Sequence, residues 1–485
     1  MMPKLVFLWT DVVLYAMLLL LGWYAWRIRV NPNLRANWAR VARDPAALCA
    51  GIVLALFALV TLADSVHFRR ALLPSAGAPA GTPTYYATST ESLLDTLLAR
   101  QVHMRESGYS EPLAFVGFTT EAFERNGQPV RDYPRLAFGG AHLADPAADW
   151  APDIRARVAS GLAAGLAMAL LAALLTAWLN RASHGGTLRA IKDIAADRTH
   201  MPLRAALATL TVIFLLIGPM VALMGHYHAF GTDRTGNDVL YQALKSVRTA
   251  FVIGTLATLA TLPLAMVLGV LAGYFKGWVD EVIQYLYTTL TSVPNVLLIA
   301  ACVLMVQVFL DKHPEVFETG AERSDLKMFL LCVILGLTGW ATLCRLIRGE
   351  TLKLRELDFV QAANAFGVSH TLIMARHIMP NVMHLVLITT VLSFSDLILY
   401  EAVLTYVGVG VDPSMNSFGG MINLARSEMS RDPVVWWSFV AAFGFMVALV
   451  LAANLFADGV RDAFDPRARS QRPRVLGKRT SAGSA

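Results

Sequence analysis

About nine stretches of roughly 20 apolar residues each, spread over the whole chain, constrain this sequence more than any other feature. They lie near 5–26, 45–66, 158–179, 204–225, 249–274, 281–310, 328–346, 381–407 and 435–457. Within lipid such a stretch satisfies its backbone only as a helix. The expected fold class is therefore all-α, a polytopic membrane protein with about nine transmembrane helices. Composition agrees, with 56% hydrophobic and 16% charged residues, against about 25% charged in soluble domains.

The basic residues set the orientation. Arg27, Arg29, Arg35, Arg40 and Arg43 follow the first stretch, and only Lys4 precedes it. This places the N-terminus outside and the first loop in the cytoplasm. Alternation then puts Arg181, Arg189, Lys192 and Arg198 inside, with the tail carrying Arg467, Arg469, Arg472, Arg474, Lys478 and Arg479. The net charge of +6 is positive-inside bias, and nucleic-acid binding is not needed to explain it. The first stretch reads as a retained span, because Asp11 interrupts it and no small-residue cleavage site follows. Cys49, Cys302, Cys332 and Cys344 lack metal-ligand spacing and read as packing residues.

Between two apolar stretches lies a polar interval from Arg345 to Asn381 that is too charged for lipid and rich in helix formers. Its centre reads as a short helix with Ala362, Ala363 and Gly367 on one small face, and Pro380 as its terminating proline. A small face would let another protein's backbone approach closely, so the interval is expected to dock a partner. Glu356, Asp358, Gln361, Arg376 and His377 flank that face.

Charges inside spans are costly and invite a functional reading. Asp396 and Glu401 fall in the outer half of the stretch at 381–407. Asp396 is the better candidate for lining a water-filled path, while Glu401 reads equally well as a helix-end contact. His226 and His228 could form a metal pair but read more simply as interfacial polar residues. Pro219, Pro263 and Pro294 fall within spans and would kink them or mark irregular packing. The chain has no G-x-x-x-x-G-K-[ST] loop, no G-x-S-x-G elbow and no H-E-x-x-H helix. It is not expected to be an enzyme.

The interval resembles the Glu-Ala-Ala loop of permease subunits of binding-protein-dependent ABC transporters. Ala362, Ala363, Gly367 and Pro380 stand at the family spacing, while Gln361, His377 and Met379 replace the usual Glu, Ile and Leu. Gly231-Thr-Asp233 through Asp238, Ala272-Gly273 through Asp280, Glu401-Ala402 through Gly410, and Asn454 through Pro466 resemble the dipeptide, oligopeptide and nickel branch.

The resemblance implies a permease core over 204–467, with an ATPase-coupling loop at 347–380. It also implies a second homologous permease, two ATPase subunits and an extracytoplasmic solute-binding protein as partners in the bacterial inner membrane. ATP and Mg would sit on the ATPase subunits, and no cofactor on this chain. Before the core come two spans in 1–66, an extracytoplasmic insertion at 67–157, and a third span with a cytoplasmic loop in 158–203. A basic tail follows at 468–485. Either 45–66 or 204–225 could take the family's first-helix position. The expected solute is a di- or oligopeptide. The alternatives are nickel or another solute carried by the same machinery, and, in a different class, an ion-driven secondary transporter.

Overall fold

Each apolar stretch closes its own backbone hydrogen bonds, and the computed structural model shows the outcome. Among the described residues nine helices are long and apolar enough to cross a membrane. The structure describes residues 4–72, 85–125, 128–184, 186–317 and 319–464. The proline-rich part of the insertion at 73–84 and the basic tail at 468–485 lie outside the described residues.

In chain order the helices are α1 (Trp9–Val30), α2 (Pro32–Val41), α3 (Pro45–Asp64), α4 (Pro146–Leu179), α5 (Thr187–Ala195), α6 (Leu203–Leu223) and α7 (Val239–Phe275). There follow α8 (Gly277–Ser292), α9 (Asn295–Lys312), α10 (Gly320–Arg355), α11 (Asp358–Ala365), α12 (Met379–Tyr406), α13 (Phe418–Glu428) and α14 (Trp437–Phe464). Short helical pieces occupy 93–97, 99–103, 181–184 and 370–378. The strands are confined to the N-terminus and the insertion. They are β1 (Lys4–Val6), β2 (His67–Arg69) and β3 (Glu91–Ser92) in one antiparallel sheet of order β1-β2-β3, and the hairpin β4 (Glu121–Arg125) with β5 (Gln128–Asp132).

The centre of the molecule is the parallel pair α7 and α10, which start together at Arg248 and Asp325 and end together at Tyr274 and Arg355. They are 37 and 36 residues long, which at about 1.5 Å per residue is ~55 Å and exceeds a ~30 Å hydrocarbon core. Their ends therefore stand clear of lipid and carry the polar chemistry. In lipid, helices gain little from burying apolar surface against one another, so close packing decides their association. Glycines supply it here. A Cβ on Gly336 would fall 2.4 Å from the Ala260 Cβ, and one on Gly273 would fall 2.5 Å from the Thr351 Cβ. Around this pair pack α1, α3, α12 and α14.

A second tight pair, α4 and α6, stands to one side. Gly161-x-x-x-Gly165 faces Gly218, and a Cβ on Gly165 would lie 2.4 Å from the Phe214 carbonyl oxygen. Of the two spans open for the first-helix position, α3 is wedged against α7 and α14, whereas α6 reaches this central group through α3.

Two boundaries differ from the sequence expectation. The stretch at 281–310 is not one helix, because it divides into α8 and α9 at Val293–Pro294. Proline removes a donor and pushes its predecessor into extended backbone, and Val293 indeed sits at φ −87°, ψ 135°. The third span begins well before residue 158. Asp145 accepts from the Ala147 N–H at 3.1 Å and starts α4 at Pro146, inside the segment read as insertion.

Candidate coupling site and the opposite rim

The polar interval is built as a bracket beneath α7 and α10. The last turns of α10 bring Arg348 onto Asp280 of α8, with both guanidinium–carboxylate contacts at 2.6 Å. That fork holds the Asp280 carboxyl below its usual range. Arg355 Nη1 donates to the Tyr274 carbonyl at 2.7 Å, which satisfies a C-terminal acceptor of α7. Lys276 and Gly277 make the tight turn at φ +56° and +58°, and Lys276 Nζ reaches Glu356 Oε1 at 2.9 Å. Tyr274 Oη and His370 Nδ1 share a hydrogen bond of 2.8 Å.

Helix α11 rests on this bracket. Val360 is buried, and Ala363 packs beside it against a core containing Ile347, Ile373 and Ile378. The opposite face is open: Leu357, Phe359 and Phe366 are exposed, Phe366 to 86%. Large apolar side chains are thus held outward at a short helix seated from behind, an exposed patch of the kind that marks a candidate interaction site. Asp358 opens the helix and is exposed, as are Glu356, Gln361, Ala362 and Arg376. Gln361 Nε2 donates to the Glu356 carbonyl at 3.2 Å, and the His377 ring lies 6.1 Å from that of Phe359.

The small face is a correction. Ala362 is exposed and Ala363 faces inward, while Gly367 lies beyond the helix end. The Val368 N–H bonds the Ala363 carbonyl at 3.1 Å and the Gly367 N–H bonds the Asn364 carbonyl at 3.0 Å. With Gly367 at φ +75° this is a Schellman stop, so the glycine is required by backbone conformation rather than by a neighbour's approach. Nothing lies within 4 Å of a Cβ placed there. Pro380 likewise terminates nothing. It lies inside a continuous helical run from His370 to Tyr406, just after the π-helical turn Met374–Ile378.

The structure separates the two acids of α12. Asp396 is exposed on the flank of the span. Glu401 is fully buried and accepts from Thr405 Oγ1 at 2.8 Å, and that same oxygen accepts from the Val411 N–H at 3.1 Å. Glu401 thus braces the turn that follows α12.

At the opposite rim, where α1, α7 and α10 begin and α3 ends, sit the residues that sequence reasoning missed. Arg248, one of the first turns of α7, is 4% exposed and donates to Asp11 Oδ1 at 2.7 Å, with Asp325 Oδ1 at 3.8 Å. Asp325 also accepts from the Thr10 hydroxyl and, at 3.0 Å, from the Thr10 N–H. His67 Nδ1 contacts Asp11 at 2.7 Å. Lys245, one turn earlier, binds Asp64 and Asp95 at 2.9 and 2.8 Å. The available signal was Lys245 and Arg248, one turn apart at the start of a long apolar run, since cations there demand partners.

The insertion is fastened to the same rim. Glu106 accepts from the N–H groups of Ala137, Phe138 and Gly139 at 2.8–3.0 Å, and its own N–H donates to the Gly236 carbonyl. Ser110 and Thr232 exchange backbone and side-chain bonds. His228 lies between two carboxylates, 2.9 Å from Asp238 and 3.5 Å from Glu106. Burial alone would push the imidazole down, but Asp238 and Glu106 overcome it and raise His228 to about 9. Burial likewise opposes ionisation of Glu106, and His228 with the three N–H groups outweighs it, lowering the carboxyl to about 2. His226 turns elsewhere, its ring edge-on to His142 at 5.1 Å.

The chain is thus a polytopic helical bundle with a short, outward-facing helix between α10 and α12. The family of binding-protein-dependent transport system inner membrane components matches residues 265–470. The oligopeptide transport system permease protein OppC of Mycobacterium tuberculosis is 31% identical over 288 residues, covering 56% of this chain and 92% of that protein. OppC of Escherichia coli is 31% identical over 297 residues, 56% of this chain and 91% of that one, and OppC of Bacillus subtilis is 28% identical over 242 residues, covering 50% and 72%. The chain belongs to this family of ABC importer permeases. It is a multi-pass inner-membrane protein and the membrane component rather than the ATPase.

Proposed function

We propose that this chain carries peptide-like solutes, di- or oligopeptides, across the inner membrane as one permease of an ATP-driven importer. Similarity to the OppC proteins over more than nine-tenths of the M. tuberculosis relative's length supports the solute class. The observation that carries the coupling role is α11, rigidly seated on the Arg348–Asp280 bracket with Phe359 and Phe366 turned outward. Such a helix fits a groove in a separate ATPase subunit, where nucleotide-driven closure would be passed to α7, α10 and α12.

In this reading ATP and Mg are held by two ATPase subunits on the cytoplasmic rim, which is the rim of α11. The N-terminus and the insertion face a solute-binding protein on the other side, and a second permease completes the path. Asp396, exposed within α12, is the candidate in this reading for meeting the amino group of a peptide.

The test is growth of a deletion strain on di- and oligopeptides as the sole amino-acid source, with complementation by the wild-type chain. Peptide-dependent growth should be lost and then restored. Normal peptide uptake in the deletion strain, with loss of nickel-dependent activity instead, would overturn the solute assignment. Recovery of the chain without any ATPase subunit after mild solubilisation would overturn the coupling role.

A further inference from the structure

The chain turns sharply where α1 meets α2, and the inner corner of that elbow is a groove lined by Arg29, Val30, Pro32, Arg35, Ala36 and Ala39. From Val12 to Arg43 the sequence has no carboxylate and five arginines. Elsewhere on this rim Arg348 is held by Asp280 and Arg355 by the Tyr274 carbonyl. Arg27 stacks over Trp23 at 5.2 Å. Carboxylates on the packed neighbours are Asp44, whose side chain accepts from the Ala46 N–H, and Asp458 and Asp462 of α14. Among the described residues no ion pair joins any of them to Arg29 or Arg35.

The elbow is held in shape. Trp38 of α2 packs edge-on against Phe464 at 5.6 Å and donates to the Tyr24 hydroxyl at 3.2 Å. Leu34, Trp38 and Val41 join α2 to a cluster with Val460 and Leu387. The arginines are thus displayed from a fixed scaffold instead of a loose loop. On the same helix, in the three turns before Arg29, α1 exposes Leu19, Leu20, Leu21, Trp23 and Trp26. Two guanidinium forks at headgroup depth, beneath a wall of leucine and tryptophan, match a ligand with an anionic phosphodiester at one end and acyl chains at the other.

We propose that the α1–α2 elbow is a binding site for an anionic glycerophospholipid, with Arg29 and Arg35 on the phosphodiester and the acyl chains along α1. The charge of the site selects anionic over zwitterionic lipid, and the apolar wall selects lipid over free phosphate. The bound lipid would fix the accessory helix α1 against the central bundle.

The experiment is native mass spectrometry of the full-length chain in detergent, titrated with phosphatidylglycerol or phosphatidylcholine. Wild type should retain phosphatidylglycerol preferentially, and R29Q/R35Q should weaken that retention about tenfold or more. R189Q/K192Q, which removes exposed basic residues of α5, should leave it unchanged. Equal retention of the two lipids, equal loss in both variants, or displacement of phosphatidylglycerol by inorganic phosphate would overturn the proposal. Should R29Q/R35Q insert poorly, tryptophan quenching by brominated phosphatidylglycerol replaces it, with brominated phosphatidylcholine as reference. W23F/W26F should then remove the extra quenching by the anionic lipid, and no difference between the two lipids would overturn the site.

Discussion

The two rims of this molecule use charge in opposite ways. On the rim of Arg248 the charges of Asp11, Asp64, Arg248 and Asp325 are buried against partners within the chain, and the insertion is bonded over the loop at 226–238. On the rim of α11 the ion pairs Arg348–Asp280 and Lys276–Glu356 form a bracket, and what they hold is left exposed. One rim is finished by its own residues. The other leaves Leu357, Phe359 and Phe366 uncovered within this chain. A closed network stabilises a chain on its own, whereas an exposed apolar helix on a rigid support is a cost to the isolated chain that binding recovers.

The largest effect should come from breaking the closed rim. Replacing Arg248 by Met leaves Asp11 and Asp325 buried without their cation, and stranding buried charges in this way costs about 3–5 kcal/mol. Folded, monodisperse protein should fall sharply in detergent extracts. The double variant D11N/R248M should recover much of the loss. A wild-type thermal midpoint for R248M would show that packing, not charge, closes that rim.

On the open rim the same size of change should do less to the fold and more to coupling. Gly367→Val forces a β-branched residue to φ +75°, a strain of about 1–2 kcal/mol, while Gly367→Asn should be milder because asparagine tolerates that region. Phe366→Ser should leave the thermal midpoint unchanged and still uncouple transport from ATP hydrolysis, because its ring touches little in this chain. Equal transport by Phe366→Ser and wild type would remove the distinction between the rims.

The smallest expected effect is the pH response of the insertion. His228 is raised to about 9 from an ordinary value near 6.5, so its contribution is complete below 6.5 and is lost as pH rises through 9. Glu106 is lowered to about 2 from 4.5, so its contribution is complete above 4.5 and is lost as pH falls through 2. Attachment of residues 106–139 should therefore be firmest between these limits and loosen first on the alkaline side. Hydrogen exchange of the Ala137–Gly139 amides between pH 6 and 10, corrected for intrinsic rates, measures it, and His228→Gln should flatten the alkaline response.

The apolar stretches determined the number of spans, because a backbone in lipid has no other way to satisfy itself and needs only local information to do so. The resemblance at Ala362–Gly367 and Pro380 drew attention to this interval for the same reason, since turn and cap chemistry is written in short spacings. Even there the role of Gly367 needed coordinates, because a glycine on a face and a glycine that ends a helix have the same spacing. The break before Pro294 was visible as a proline, but its consequence depended on whether neighbouring helices would carry the run through. Arg348 with Asp280, Arg248 with Asp11 and Asp325, and His228 with Glu106 were beyond sequence reading altogether. These pairs join positions 68 to 237 residues apart, or an insertion to a core loop. Which buried charge meets which is decided by how distant elements pack, and for Arg248 and Asp325 the close approach of α7 to α10 at Gly269, Gly273 and Gly336 brings their two helices together.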